Sequence, residues 1–204
     1  MTEVRKGQAP PPIERTEFHE RFMQSYSDPA YRAESQALAR IEIIAWEAYQ
    51  EGRKAPDLAL ENAAGDRVSL KGFKGKDVVV YFYPKDDTPG CTKEACGFRD
   101  LWKELQRAGV VVLGVSADDA AAHTKFAAKY KLPFPLLSDP GRKVMTAWGA
   151  YGEKMMYGKK TMGVIRSTVW IGPDGVVRKH WARVSDAAKH PAQVLAAIRE
   201  GAET

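Results

Sequence analysis

Cysteine is scarce in this chain, which has only Cys91 and Cys96 among its 204 residues. Two thiols exclude a secreted scaffold stapled by several disulfides and a zinc site built from four cysteines. Long apolar runs are also lacking, because no stretch approaches the ~18 residues that a membrane-spanning helix needs. The N-terminal residues have no apolar core of the signal-peptide type. We therefore expect a cytoplasmic protein without membrane association, whose thiols stay reduced unless its own chemistry oxidises them.

Clustered metal ligands and Gly-rich phosphate loops are missing too. The four histidines are scattered, and no His-x-x-His or Cys-x-x-Cys pair occurs, so we expect no metal site. His123 lies near the apolar edge of a predicted helix and is interpreted as a satisfied histidine at the surface or its boundary. Nucleic acid is not an expected partner, because a net charge of +5 without a binding motif is a weak electrostatic footprint.

Basic side chains are concentrated between residues 153 and 166, which hold four lysines or arginines and one acid. A charge run of this kind is usually a solvated surface. The alternative is a surface that attracts an anionic substrate or an acidic protein partner.

The composition is that of a soluble globular protein, with 44% hydrophobic and 28% charged residues. We divide the chain into an N-terminal extension, residues 1–54, and an α/β domain, residues 55–204. The extension starts with a Pro-rich segment predicted to be disordered. Two predicted helices follow, the second starting at Asp28-Pro29 and ending near Gly52. Its apolar side chains fit packing on its own domain, a homo-oligomer contact or a lid over the site, so monomer and homodimer both stay open.

Strand and helix patterns alternate along the second segment. Residues 77–83 form a nearly continuous apolar run, typical of a strand buried on both faces. The Gly-Pro-Asp-Gly sequence at 172–175 predicts a hairpin turn near the end. The order β-α-β-α-β-α-β-β-α predicts an α/β sheet covered mostly by helices. The predicted strands are 77–83, 110–115, 135–137, 164–171 and 176–181. The predicted helices are about 91–107, 119–131, 141–148 and 188–200.

Cys91 lies where the first buried strand gives way to a helix. Backbone N–H groups are unpaired and the helix dipole is positive at that end, so a thiolate, the reactive form of cysteine, is stabilised there. Thr88, in the preceding loop, is able to place its hydroxyl near the sulfur. Pro84 and Pro89 stiffen the loop and shield the sulfur from bulk water. The pattern predicts a reactive thiol that faces the interior.

Cys96 falls on the outer face of the same predicted helix. Helical geometry separates the Cα atoms of positions i and i+5 by roughly 8–9 Å. A disulfide between fixed backbones requires less than about 7 Å. Cys91 and Cys96 therefore bond only if the first turns of the helix unwind, and Gly97 favours unwinding because glycine costs about 1 kcal/mol relative to alanine in a helix.

Residues 81–100 closely resemble the active-site signature of the peroxiredoxins, in particular the bacterioferritin-comigratory-protein or peroxiredoxin Q subgroup. The family's Pro-x-x-x-Thr-x-x-Cys motif is matched by Pro84, Thr88 and Cys91. The resemblance covers about residues 55–200, and its other parts are residues 132–140, 151–154 and 163–168. It implies a thioredoxin-like fold, in which helices flank a central mixed sheet, here preceded by the helical extension.

The same resemblance implies a thiol peroxidase that reduces hydrogen peroxide and organic hydroperoxides. Cys91 would be the peroxidatic cysteine, which becomes a sulfenic acid, and Cys96 the resolving cysteine, which forms an intramolecular disulfide with it. Arg166 matches the family's active-site arginine, whose permanent charge favours the thiolate and holds the peroxide oxygens. Thr88 would hydrogen-bond the reacting sulfur and peroxide, and Glu94 matches an acidic position expected to pair with an arginine. No metal or organic cofactor is implied, and thioredoxin or a similar dithiol protein would regenerate the enzyme.

Two other functions compete with the peroxidase. One is a peroxide-responsive redox sensor or binding protein, in which oxidation of Cys91 signals through the N-terminal helices. The other is a disulfide reductase of the thioredoxin type. The lack of a Cys-x-x-Cys pair disfavours the reductase, because that spacing keeps two thiols within bonding distance without unwinding a helix.

Overall fold

The computed structural model describes residues 51–156 and 159–202. The predicted extension, residues 1–54, lies almost entirely outside this part of the chain, and its predicted helices stay predictions. Within the described residues, no helix is both long enough and apolar enough to cross a bilayer.

Nine strands are present in the described residues. They are β1 (Ala59–Asn62), β2 (Arg67–Ser69), β3 (Asp77–Phe82), β4 (Val110–Ser116), β5 (Leu136–Ser138), β6 (Tyr151–Met156), β7 (Lys159–Val164), β8 (Ser167–Ile171) and β9 (Val177–Trp181). Seven of them form one sheet in the order β2-β1-β5-β4-β3-β8-β9, and β6 pairs with β7 as a separate hairpin. A short 3₁₀ helix, Leu70–Phe73, follows β2.

The sheet is mixed. β3 pairs in parallel with β4, and β4 pairs in parallel with β5. On its other side β3 pairs antiparallel with β8, which continues into β9. The predicted hairpin turn is present, with the Gly175 N–H donating to the Gly172 carbonyl oxygen over 2.9 Å. Gly175 adopts a φ of +77°, a left-handed conformation that glycine reaches without the usual steric cost.

Both faces of β3 are buried, which explains its continuous apolar sequence. Val79 and Tyr81 point into one core, which contains Cys91 and Phe98. Val78, Val80 and Phe82 point into a second core on the opposite face of the sheet. Because side chains alternate along a strand, one short run supplies both cores.

Five helices surround the sheet in the described residues. They are α1 (Pro89–Asp100), α2 (Trp102–Arg107), α3 (Ala120–Tyr130), α4 (Lys143–Ala147) and α5 (His190–Ala202). Helices α1, α2, α3 and α5 contribute apolar side chains to the core that holds Cys91. Helix α4 contributes Met145 to the core on the other face. The predicted α/β sheet covered by helices is therefore observed.

Two predicted elements are divided in the structure. The single helix predicted over 91–107 is wrong, because Leu101, with a ψ of 5°, leaves the helical conformation between α1 and α2. The apolar spacing continues across this break and gives no sign of it. The strand predicted over 164–171 is interrupted at Ile165 and Arg166. Their backbone groups bond outside the sheet, to Ala150 and Val184.

Four strands are absent from the predicted order. β1 and β2 are short and half exposed, so they lack the apolar run that marks a buried strand. β6 and β7 form the hairpin that carries most of the basic residues between 153 and 166. That hairpin pairs only with itself in the described residues, and its polar sequence resembles a loop.

Candidate active site

Cys91 lies in the first turn of α1, at the end of the loop that follows β3. Helix α1 begins at Pro89 with Thr88 as its N-cap residue. Proline suits this position, because its ring presets the helical φ and the missing N–H is not needed there. The side chain of Cys91 is only 1% exposed and packs in the core between the sheet and the helices. The structure thus places this thiol at a helix N-terminus and facing inward.

Arg166 brings a positive charge to the sulfur. Its Nη2 atom donates to Cys91 Sγ over 3.1 Å, and its Nη1 atom pairs with the carboxylate of Glu94. The arginine lies in the interruption between β7 and β8, so its side chain is free to turn toward α1. Gly90 makes room for it, because a Cβ at that position would lie 3.3 Å from Nη2.

Glu94 is a fully buried acid one turn after Cys91. Burial raises the pKa of its carboxyl to about 7, although the charge and hydrogen bond of Arg166 act in the opposite direction. Burial alone would lower the pKa of Arg166, but the negative charges of Glu94 and Cys91 outweigh it and raise that pKa. One carboxylate oxygen, Oε1, has no hydrogen-bond partner among the described residues.

Thr88 and Pro84 bound the loop before α1. The Thr88 hydroxyl donates to the Lys85 carbonyl oxygen over 3.0 Å, so its proton is used within the loop. To donate toward the sulfur, as predicted, the hydroxyl would have to leave Lys85. Pro84 instead lines an open pocket together with Arg166.

That pocket gives solvent a route to the arginine. Its volume is about 200 Å³. Apolar and basic side chains from the loop, the hairpin of β6 and β7, the β7–β8 interruption and the segment after β9 form its walls. The lining residues are Pro84, Lys154, Val164, Ile165, Arg166, Arg183 and Val184. A small polar molecule entering there meets only positively charged ionisable side chains, which favours an anionic or oxygen-rich substrate.

Cys96 occupies a different environment on the same helix. Its side chain is partly exposed, and both cysteines are free thiols. Gly97, beside it, lies against Pro191 at the start of α5, where a Cβ would come within 2.8 Å of the proline Cγ. Glycine at this position therefore permits the contact between α1 and α5 as well as weakening the helix.

Comparison with known proteins identifies the family. Residues 52–180 match the AhpC/TSA family. A Coxiella burnetii protein named peroxiredoxin bcp is 50% identical over 144 residues, which are 71% of this chain and 95% of that protein. Peroxiredoxin Bcp of Bacillus subtilis is 43% identical over 152 residues, which are 74% of this chain and 96% of that protein. The chain belongs to the AhpC/TSA family, as a peroxiredoxin of the Bcp/peroxiredoxin Q group.

The fold agrees with this assignment. The solved structure of the Xanthomonas campestris bacterioferritin comigratory protein, studied for its alkyl peroxide reduction activity, superimposes with a TM-score of 0.67. It is 41% identical, over 71% of this chain and 92% of that one. The predicted resemblance to the subgroup is confirmed, and so is the thioredoxin-like fold.

One buried contact of the loop before α1 was missed by the sequence analysis. His123 was predicted at the surface or its boundary, and this is wrong, because its side chain is fully buried. Its Nδ1 atom lies 2.8 Å from Oδ2 of Asp86, in the loop between β3 and α1. Helical spacing places a residue near an apolar edge, but it cannot show that a loop carboxylate closes over that edge.

Metal-binding chemistry has no evident location in the described part of this peroxiredoxin. No group of three or more His, Cys, Asp or Glu side chains there is arranged to hold a metal ion. The ionisable side chains that come together at Cys91 are Arg166 and Glu94, a cation and its buried partner.

Proposed function

We propose that this peroxiredoxin reduces hydrogen peroxide and organic hydroperoxides with Cys91, and that Cys96 resolves the oxidised sulfur. The observation that carries the proposal is the 3.1 Å contact between the Arg166 guanidinium and the buried Cys91 sulfur in the first turn of α1. A permanent cation and the positive end of a helix both favour the thiolate, which is the nucleophile.

In the first step the Cys91 thiolate attacks the terminal oxygen of the peroxide. An S–O bond forms while the O–O bond breaks, and the departing oxygen takes up a proton to leave as water or an alcohol. The sulfur is oxidised to a sulfenic acid and the peroxide is reduced by two electrons. Negative charge moves from sulfur to the departing oxygen, and Arg166 is placed to stabilise it throughout. Thr88 and Pro84, at either end of the loop, would orient the peroxide.

In the second step the Cys96 thiol attacks the sulfenic sulfur, and water leaves as the disulfide forms. Within one intact helix the two Cα atoms would be roughly 8–9 Å apart, beyond the ~7 Å that a disulfide spans. The first turns of α1 must therefore unwind in each cycle. Glu94 would be released from Arg166 at that stage, since it lies between the two cysteines on α1.

A dithiol must then reduce the disulfide to complete the cycle. We propose thioredoxin or a similar dithiol protein, acting in a reducing compartment such as the cytoplasm. Unwinding of α1 would bring Cys96, already partly exposed, further toward such a partner.

The proposal is tested by single-turnover and steady-state assays on two matched variants. Cys91→Ser is expected to abolish peroxide consumption in both assays, because serine cannot form a sulfenic acid. Cys96→Ser is expected to consume about one equivalent of peroxide and then stop when thioredoxin is the reductant. Mass spectrometry would locate the sulfenic acid on Cys91 in that variant. Full steady-state activity in Cys91→Ser would overturn the proposal, and full thioredoxin-coupled activity in Cys96→Ser would overturn the resolving role.

A further inference from the structure

The loop between β3 and α1, residues 84–88, is held by two consecutive aspartates that point to opposite sides. Asp86 is buried, with 8% of its surface exposed, whereas Asp87 is exposed. Both contact helix α3. The loop therefore has one internal and one external attachment to the same helix.

Asp86 has hydrogen-bond partners on three sides. Its carboxylate accepts from the Tyr83 hydroxyl over 2.7 Å and lies 2.8 Å from His123 Nδ1. Its backbone N–H donates to Asp118 Oδ2 over 2.9 Å, and that oxygen also accepts from the Ser116 hydroxyl. The end of β3, the end of β4 and helix α3 thus converge on one loop residue.

Stability alone is a poor explanation for this arrangement. His123 is fully buried, and its other ring nitrogen, Nε2, has no partner among the described residues. Burying an ionisable pair with one unsatisfied polar atom is costly, and apolar side chains of similar volume often stabilise a core as well or better. A buried pair that specifies one loop conformation is a better explanation.

We propose that His123 and Asp86 form a positioning pair, which holds the loop in the conformation that the peroxide step requires. The inference rests on the proposed function. The loop carries Pro84 on the pocket wall and Thr88 at the N-cap of α1, one turn before Cys91. A displacement of about 1 Å in a catalytic site can cost ~10²-fold in rate. Because the pair anchors the loop to α3 rather than to α1, it stays in place when α1 unwinds.

The second attachment supplies a matched control. Asp87 has a φ of +54° and binds Lys129 Nζ over 2.6 Å and the Tyr130 hydroxyl over 2.6 Å. Asp87 and Lys129 are exposed, so their ion pair contributes little to stability. Asparagine tolerates the left-handed conformation well. Asp87→Asn therefore perturbs the same loop and the same helix without disturbing the buried pair.

The test compares two reactions of Cys91 at one pH. Quenched-flow mass spectrometry gives the rate of sulfenic acid formation by hydrogen peroxide, and alkylation by iodoacetamide reports thiolate reactivity without a peroxide site. His123→Leu is expected to slow the peroxide reaction about 10-fold or more, with alkylation changed less than about 2-fold. His123→Asn, whose amide nitrogen can replace Nδ1 as donor, is expected to restore most of the peroxide rate. Asp87→Asn is expected to stay within about 2-fold of the wild type in both reactions.

Asp86→Ala keeps the proposal testable if His123→Leu does not fold. It removes the carboxylate that contacts the Tyr83 hydroxyl and His123 Nδ1, so the same selective loss of peroxide rate is expected. A wild-type peroxide rate in His123→Leu or Asp86→Ala would overturn the positioning role. Equal losses of rate in the peroxide and alkylation reactions would overturn it as well. So would a peroxide rate in His123→Asn as low as that in His123→Leu. A wild-type protein inert to peroxide would instead refute the proposed function, which keeps the two failures distinct.

Discussion

Cys91 and Cys96 lie on the same helix, α1, but their surroundings differ. Cys91 is 1% exposed and accepts a hydrogen bond from a guanidinium. Cys96 is partly exposed, and the arginine near it, Arg99, is committed to Asp100 and to the Tyr130 carbonyl oxygen. The first thiol is closed off from solvent, and the guanidinium beside it lines the open pocket. The second is accessible, but it reaches the first only after the helix changes.

In the proposed cycle, helix α1 separates the two chemical steps. The charge of Arg166 would favour the Cys91 thiolate before the peroxide arrives, as expected where electrostatic preorganisation carries catalysis. At Cys96 the structure supplies access and a weak helix position, Gly97, rather than charge. Changes at the Cys91 end should therefore affect the rate with peroxide, and changes at the Cys96 end should affect stability and resolution.

Replacing the arginines near the two sulfurs sharpens this contrast most. Arg166→Gln is expected to slow sulfenic acid formation by about 10²–10³-fold, because it removes the charge that faces the reacting sulfur. Arg99→Gln, its matched control on the Cys96 side, is expected to change that rate by less than about 2-fold. Stopped-flow or quenched-flow measurement of the first oxidation, under conditions in which both variants are folded, gives both rates.

A second variant separates the effect of the Arg166 charge on the peroxide rate from its effect on folding. Arg166→Gln leaves Glu94 buried without its cation, which is costly in itself. In the double variant Arg166→Gln, Glu94→Gln, the carboxylate is neutralised, so the fold should recover while the peroxide rate stays low. Recovery of the rate together with the fold would show that Arg166 acts only by supporting the structure.

Local sequence pattern was sufficient for part of this picture. The apolar run of β3 and the amphipathic spacing of α1 placed Cys91 at a strand–helix junction and facing inward, because both signals arise from neighbouring residues. The partner Arg166, which lies 75 positions away, came from family resemblance. No local pattern shows that two residues between strands will turn back to the first helix.

Two of the missed features share one physical cause. The interruption at Ile165 and Arg166 and the closure of Asp86 over His123 depend on contacts between distant segments. The hairpin of β6 and β7 is local, and it was missed because its polar sequence resembles a loop. Hydrophobic periodicity records which side chains avoid water. It does not record which buried polar atoms satisfy each other.

The pH dependence of stability distinguishes two buried groups, Glu94 on α1 and His190 at the start of α5. Glu94 belongs to the Cys91 end, and its carboxyl has a pKa of about 7 in the fold instead of 4.5, through burial. The folded chain holds this proton more tightly than the unfolded chain, so its contribution to stability falls as the pH rises from about 4.5 to about 7. His190, at the start of α5 and edge-on to Phe98, behaves oppositely. Burial lowers its pKa from 6.5 to about 4, so its contribution to stability falls as the pH drops from about 6.5 to about 4.

Removing either ionisable group should reveal the effect of the other on the pH dependence of stability. A pKa difference of this size corresponds to on the order of 3 kcal/mol, so the two effects largely offset each other in the wild type between about pH 4.5 and 6.5. Glu94→Gln is expected to make stability rise with pH in this window relative to the wild type, and His190→Gln is expected to make it fall. Urea unfolding at several pH values measures both slopes. Parallel pH curves for wild type and Glu94→Gln would contradict the assignment of Glu94 as the raised carboxyl.

The two glycines on α1 provide the smallest and most local contrast. Gly97→Ala places a methyl group 2.8 Å from the rigid ring of Pro191. Overpacking of this kind costs about 1–3 kcal/mol, against a gain of about 1 kcal/mol in helix propensity, so we expect a net loss of stability of up to about 2 kcal/mol. Gly90→Ala meets only the guanidinium end of Arg166, at 3.3 Å, so its stability should change by less than about 1 kcal/mol. Its peroxide rate should fall instead, because the guanidinium is displaced from the sulfur.

A double-mutant cycle decides whether the contact with Pro191 causes the loss of stability in Gly97→Ala. Gly97→Ala combined with Pro191→Ala removes the clash, so the coupling between the two substitutions should recover about 1 kcal/mol or more in the free energy of unfolding. Additive losses would mean that Gly97 is needed for another reason. A contrary result is that Gly97→Ala also slows the first oxidation as strongly as Gly90→Ala does. The division of α1 into a reacting end at Cys91 and a resolving end at Cys96 would then be wrong, because both ends would move as one unit.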